Sequence, residues 1–478
     1  MVLSFTKQQG ERGRRAVLNG FMYTRQRKSE DGKWSQWMCI KCKEQSCKGR
    51  LKISPDETQF SETGNHNHMP NIGECKAAMA IGSAKRRAEQ EPHTNPLHIT
   101  QTVFGTADEE TLAALPKEAS LKRSIRRIRR ENQPNLPKSF DELQDIPEEY
   151  TELDGGSILA FDNGPGEHRV IILASRPVLD DMARSSMWFG DGTFKSTPKI
   201  ISQLYTIHYE KHENVILGCV ALMADKSEES YKTLFESLRD LLPAGRRTGP
   251  TKISMDFEIA AMNGFKQVFP LASESYCYFH FGQSMWRKAQ NSGIAPLYAT
   301  DEEIRTQFHS VLGLPFVPED HVVNAFMDLR ENSRAEMDDI LDLIEDYYVL
   351  GRRRGRGRQA PRYPIQTWNV VDRTLRGVPR TNNSVEAWNR RWNTLVGKAH
   401  PNFFEFLLAL KKEMEYAKSQ RVLLDGGSSP PRKRTKYMQT DDRLKRLTER
   451  FLEELEGENI NFLMYLKAVG LQARGTFD

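Results

Sequence analysis

Hydrophobic positions along this chain follow two periods, and the switches between them outline its architecture. Val170-Ile171-Ile172-Leu173-Ala174 is a continuous apolar run of strand length, and Met187 to Asp191 is another. Leu204 to Tyr209 and Val215 to Leu222 are rich in β-branched and aromatic residues around Lys211-His212-Glu213-Asn214, which predicts a hairpin. The period then changes. Tyr231, Leu234, Phe235, Leu238 and Leu241 fall at helical spacing between Glu228 and Leu242, and Pro243, Gly245 and Gly249 end that helix. A strand running to Asp256, a helix near Ile259 to Val268 and a strand at Ser275 to Phe279 complete the order β-β-β-α-β-α-β.

That order is the order of a ribonuclease-H-like core, a mixed sheet flanked by helices, so the fold class expected is α/β. Residues 1–72 read as a small β-rich module that bears cysteine and histidine, and 73–150 as a basic connector, mostly helical or partly disordered. The first part of the core spans 151–280. An all-helical insertion with a basic loop follows at 281–380, and the core resumes at 381–424 with helices from Asn382 and from Phe403. Residues 425–478 are a linker and a charged amphipathic tail.

A chain of 478 residues is longer than one ordinary domain. No apolar run approaches the roughly 18 residues of a membrane helix, so no membrane partner is expected. The first ten residues lack a signal-peptide core. Six cysteines in so long a chain do not make a secreted disulfide framework, and three of them between Cys39 and Cys47 point to metal. Net charge is only +5, but the basic residues cluster at Lys122–Arg130, Arg352–Arg358 and Arg432–Lys436. Runs like these bind phosphate backbones or direct nuclear import, which is the compartment expected here.

Two sets of residues carry candidate chemistry. Cys39, Cys47, His66 and His68 are spaced C-x7-C-x18-H-x-H, and two thiolates with two imidazoles close a tetrahedral Zn²⁺ site. Cys42 competes for the second cysteine position. Asp191 and Asp256 each end a strand-like run, and Glu386 sits in a helical stretch. Three such carboxylates can hold a pair of Mg²⁺ or Mn²⁺ ions about 3.5–4 Å apart for phosphodiester chemistry. In a ribonuclease-H-like sheet the first and fourth strands end side by side, so Asp191 and Asp256 are expected to meet. Asp225 and Glu258 are rivals for a place beside them. Trp388 and Trp392, four apart on the Glu386 helix, are expected in the core, with base stacking as the alternative.

The wording around these residues resembles known families. Gly20-Phe21-Met22-Tyr23, Trp37-Met38-Cys39, Cys47-Lys48-Gly49-Arg50-Leu51 and His66-Asn67-His68-Met69-Pro70 are similar to a FLYWCH zinc finger over about residues 5–70. That resemblance implies Cys39, Cys47, His66 and His68 as zinc ligands and binding to DNA or protein, with Lys48 and Arg50 among the phosphate-contacting cations. Asp191-Gly192-Thr193-Phe194, Met255-Asp256-Phe257-Glu258, Cys277-Tyr278-Phe279-His280 and Thr381-Asn382-Asn383-Ser384-Val385-Glu386-Ala387-Trp388-Asn389 resemble the transposase domain of Mutator-like elements over about 185–420.

The second resemblance implies a DDE transposase with Asp191, Asp256 and Glu386 as catalytic metal ligands. It also implies an insertion contacting transposon DNA, where Arg352, Arg353, Arg354 and Arg356 are the candidate contacts. Cys277 and His280 match the family's C-x2-H signature, which places His280 at or beside the active site. The family's C-terminal Cys/His finger is missing, since no cysteine follows Cys277 and no histidine follows His400. The expected function is cleavage of transposon ends and joining of their 3′-hydroxyls to target DNA, carried out by a homodimer. The competing expectation is a domesticated, catalytically silent DNA-binding regulator.

Overall fold

The computed structural model describes residues 3–6, 13–29, 32–91, 94–131, 134–193, 196–245, 249–378, 380, 383–428, 435–457 and 460–473. The basic residues Arg432, Lys433 and Arg434 therefore lie outside the described residues. The chain forms two compact units that divide between Leu136 and Pro137.

The first unit begins with six antiparallel strands paired in chain order: β1 (Ser4–Phe5), β2 (Arg15–Leu18), β3 (Phe21–Lys28), β4 (Ser35–Cys39), β5 (Arg50–Ile53) and β6 (Phe60–Thr63). Asn19 and Gly20 join β2 to β3 with φ of 52° and 81°, the left-handed pair that a two-residue hairpin turn demands. The sheet buries Ala16, Leu18, Tyr23, Trp37, Leu51 and Ile53 together with Cys39 and Cys47.

Four helices follow: α1 (Ile72–Gln90), α2 (Pro96–Thr106), α3 (Glu109–Ala114) and α4 (Glu118–Glu131). The Asn71 side chain caps α1 by accepting from the Glu74 N–H at 2.9 Å. Ala84, Ala88, Ile99, Val103, Leu121 and Ile125 form a second small core among these helices. The connector is thus a packed helical array over α1–α4. Part of its basic run is structural. The buried Arg129 donates to the carbonyls of Ala88, Glu91 and Thr94 at 3.2, 2.8 and 2.7 Å, which satisfies groups at the end of α1 and just beyond it.

The second unit is a mixed α/β body with a helical C-terminal region. Among the described residues its main sheet has seven strands, β7 (Leu159–Asp162), β8 (Val170–Leu173), β9 (Met187–Thr193), β10 (Gln203–Lys211), β11 (Asn214–Met223), β12 (Lys252–Met255) and β13 (Ser273–Tyr276). They lie in the order β13-β12-β9-β10-β11-β8-β7. The pairs β9–β12 and β12–β13 are parallel and the remainder antiparallel. His212 and Glu213, with φ of 49° and 60°, turn β10 into β11 where the sequence places a hairpin.

Helices α5 (Glu228–Leu241) and α6 (Ile259–Val268) fill the two crossovers, so β9-β10-β11-α5-β12-α6-β13 follows the order read from the hydrophobic periods. Phe235 meets Phe265 edge-on at 5.2 Å, and Trp188 meets Phe269 at 5.8 Å. Beyond β13 come α7 (Tyr278–Asn291), the insertion, α8 (Asn383–Val396) and α9 (Phe403–Asp425), with α10 (Thr435–Glu456) and α11 (Phe462–Ala473) last.

The insertion departs from the all-helical expectation at one place. Arg353–Arg354 pairs antiparallel with Gly357–Arg358 as a short exposed hairpin. The C-terminal helices pack on this same chain: Phe451 stacks on Tyr465 at 3.8 Å, and the Tyr465 hydroxyl donates to the Phe316 carbonyl at 2.7 Å. Gly470 lies so close to His309 that a Cβ there would sit 1.9 Å from its carbonyl oxygen. The tail thereby extends the core of its own unit. No helix among the described residues is long and apolar enough to cross a membrane.

Candidate functional site

In the first unit the four residues expected to bind metal converge. Their ligand atoms lie within 4.8 Å of one another. Cys39 Sγ is 3.2 Å from His68 Nε2, Cys47 Sγ is 3.3 Å from His66 Nδ1, and the two histidines approach to 3.4 Å. These spacings suit a tetrahedral ion whose bonds are about 2.0–2.3 Å long. The His66 ring is stacked on Phe21 at 3.6 Å, and its Nε2 lies 2.9 Å from the Tyr23 hydroxyl and 3.2 Å from Glu62. That leaves Nδ1 for a metal, with the far nitrogen fixed as zinc-binding histidines usually require. Burial first, and then Cys47 beside it, push the Cys39 thiol up to about 11. A dication that replaces the proton relieves this cost. The donor set therefore fits Zn²⁺.

Cys42 does not join the set. Its sulfur instead accepts from Arg50 at 3.4 Å, and the same guanidinium donates to the Cys47 and Gly49 carbonyls at 3.1 and 2.9 Å. Arg50 thus braces the loop that holds Cys47, while Lys48 is exposed.

In the second unit, strand alternation decides which side chains share a face. Met187, Phe189 and Asp191 point to one side of β9. Met187 and Phe189 pack there against Val385 of α8. One turn further along α8, Asn389 donates to Asp191 Oδ2. Gly190 and Gly192 face the other way, where a Cβ would come within 2.3 Å of the Tyr205 hydroxyl and 2.4 Å of Gln203 Nε2. Only glycine on both flanks lets Asp191 emerge from a tightly packed sheet.

The parallel register pairs Met187 with Lys252, Trp188 with Ile253 and Phe189 with Ser254. Two residues further along, it sets Asp191 beside Asp256. Burial, then the charge of Asp256, then a hydrogen bond between the two carboxyls hold Asp191 well above the usual carboxylate range, while Asn389 and His280 oppose the rise. Asp256 in turn meets His280, with Oδ1 and Nδ1 2.6 Å apart. Burial pulls the His280 ring down, but hydrogen bonds to Asp256 and Cys277 outweigh it and push the imidazolium up to about 11.

Glu386, in the first turn of α8, completes the group. Its ligand oxygen, the Cys277 sulfur and a His280 ring nitrogen lie within 4.8 Å of one another. Burial raises its carboxyl, His280 offsets part of the rise, and among the described residues its Oε1 has no hydrogen-bond partner. A buried carboxylate oxygen left unpaired is costly and suits a cation.

The two rival carboxylates lie elsewhere. Glu258 turns to the opposite face, where it bonds Tyr231 and Gln203. Asp225 accepts from the Ser227 N–H and the Ser230 hydroxyl, both at 2.7 Å, and meets His168 at 2.7 Å. Asn389 is the residue that sequence reasoning passed over. Its signal was its position, three residues past Glu386 and so on the same helix face. Trp388 and Trp392 stack in parallel at 5.6 Å and are buried, as the core expectation holds. The basic hairpin of the insertion projects Arg353, Arg354 and Arg356 to solvent, and Arg352 lies over the Tyr347 ring at 4.5 Å.

A family model for the FLYWCH zinc finger domain matches residues 6–68, which include all four clustered ligands. A model for the MULE transposase domain matches residues 187–284. This chain carries a MULE transposase domain behind a FLYWCH finger. The matched transposase segment holds Asp191, Asp256, Cys277 and His280, whereas Glu386 and Asn389 reach it from outside the matched residues through α8. No curated protein gives a match to the chain.

Proposed function

We propose that this protein is a DNA transposase of the DDE type, with Asp191, Asp256 and Glu386 as ligands for Mg²⁺ or Mn²⁺ on a ribonuclease-H-like sheet. One observation carries the reading. The parallel register that sets Asp191 beside Asp256, within a MULE transposase domain, lies under the helix that delivers the half-buried Glu386, whose Oε1 has no hydrogen-bond partner among the described residues. Bound metal would supply charge stabilisation at the attacking and leaving oxygens of a phosphodiester.

The remaining chemistry belongs to the chain's own groups. Asn389 holds Asp191 in one rotamer, and His280 does the same for Asp256, so the acids are oriented before DNA arrives. Proton-sharing between Asp191 and Asp256 gives way when a cation neutralises them. Phe189 and Val385 pack together on the Asp191 face of β9 and form a dry apolar floor beside that carboxylate. Exposed Lys48 on the finger and Arg352, Arg353, Arg354 and Arg356 on the insertion supply cations for DNA backbone contacts. A homodimer acting in the nucleus on two transposon ends and a target follows from the same reading.

Full-length protein incubated with Mg²⁺ and labelled element-end DNA should release nicked and joined products, and Asp191→Ala should release none. Equal cleavage by both proteins would sink the carboxylate assignment. DNA binding without cleavage by either would favour a regulator derived from a transposase.

A further inference from the structure

We infer that Cys277, His280 and Glu386 form a second transition-metal site, one that takes Zn²⁺ in preference to Mg²⁺. The set differs in chemistry from the three carboxylates. Magnesium prefers oxygen donors, whereas a thiolate with an imidazole selects zinc or cobalt. The inference shares Glu386 with the proposed magnesium site but rests on the geometry of the three donors alone.

Local structure brings the donors together. Cys277 is the N-cap residue of α7, and His280 follows three positions later, so both side chains leave the same face of the first turn. The Cys277 N–H donates to the Met255 carbonyl at 3.0 Å, which ties that turn to the end of β12. Glu386 arrives from α8, more than a hundred residues further along the chain. The three ligand atoms lie within 4.8 Å of one another, beside the spacing of about 3.5 Å that a tetrahedral zinc ion imposes.

Their surroundings are those of a metal site. Asp256 sits 2.6 Å from Nδ1 of His280, the carboxylate–imidazole pairing that orients metal-binding histidines. Cys277 is fully buried, and the buried guanidinium of Arg373 lies within electrostatic reach of its sulfur. The Glu386 oxygen, buried and without a hydrogen-bond partner among the described residues, is the donor that a packed structural Cys–His pair leaves unexplained. Three protein donors leave a fourth position for water or a phosphate oxygen, as in zinc sites that do chemistry.

Zinc content of the purified full-length protein tests this directly. The expected result is two zinc ions per chain, falling to one in Cys277→Ser, one in Cys39→Ser and none in the double variant. Wild-type zinc in Cys277→Ser, or complete loss in Cys39→Ser alone, would overturn the inference. Cobalt reconstitution of Cys39→Ser/Cys47→Ser covers the case in which Cys277→Ser does not fold. A thiolate-to-cobalt charge-transfer band that persists there and shifts with Glu386→Gln supports the site, and absence of the band rejects it. Neither readout requires DNA cleavage, so failure of the transposase reading and failure of this one are separate results.

Discussion

In the finger, Cys39, Cys47, His66 and His68 converge on a module whose core consists of eight buried residues, two of them the cysteines themselves. In the transposase domain, Asp191, Asp256, His280 and Glu386 gather on a sheet already held by a continuous core that runs from Phe140 to Ala473. The difference lies in what each cluster does for the fold. The finger is too small to be held by burial alone, so its ligands double as its core and metal binding becomes folding energy. The larger sheet folds on its packing and spends part of that stability holding like charges together. One cluster stabilises its surroundings, and the other is stabilised by them.

The sharpest way to break this comparison is to remove zinc. Cys39→Ser, or chelation, should abolish the folded finger, since structural zinc contributes about 10–16 kcal/mol in comparable modules. Limited proteolysis should then cut within residues 13–68 while the melting of the second unit is unchanged. A protease-resistant finger would mean that its small core suffices. The converse is Trp392→Ala. Deletion of a fully buried indole should cost the second unit about 3–5 kcal/mol in thermal or urea unfolding, with finger zinc unaffected.

His208 gives a smaller effect with a defined pH window. Burial drives its pKa down from 6.5 to about 3, and among the described residues neither ring nitrogen has a hydrogen-bond partner. The unfolded chain takes up a proton first as pH falls, so stability is lost progressively from about 6.5 towards 3. His208→Leu should flatten that acid limb, and an unchanged slope would show that other groups dominate it.

At the carboxylates the sign reverses. Asp191 and Glu386 are both raised in the folded state, so in chelated protein their contribution is present at low pH and lost as pH rises through their folded values. Asp191→Asn should therefore raise the melting temperature of chelated protein at neutral pH and weaken its pH dependence. A lower melting temperature would mean that the acid pair is not held against repulsion. The smallest expected change is at the basic hairpin. Arg353→Ala with Arg354→Ala should weaken DNA binding evenly across sequences and lower the salt slope by roughly one per arginine.

Much of the architecture was legible because it is local. The apolar run of β9, the turn at His212-Glu213 and the helical spacing of Tyr231, Leu234 and Leu238 are properties of neighbouring residues, and the structure has them at those places. The same holds for the four finger ligands, which fall within thirty residues, Cys39 at the end of β4 and the other three in the segments that flank β5 and β6, strands that pair in chain order. The connector was harder to read, because small alanines carry little periodic signal until α1 to α4 pack together. A basic residue in the sequence does not announce its partners: Arg129 and Arg50 both donate to backbone carbonyls, which only the packed structure reveals.

By itself the sequence determined which segments become strands and helices, which four residues suit zinc, and which acids lie on or just after strands. Those properties depend on residue type and on the period of a few neighbours. Only the tertiary structure decided that Asn389 reaches Asp191, that His280 meets Asp256, that Glu258 faces the opposite side from Asp191, and that Cys42 stands apart while Cys47 joins the cluster. Each of those outcomes turns on strand register, or on how a helix is set against the sheet, and both are fixed by burial between residues far apart in the chain.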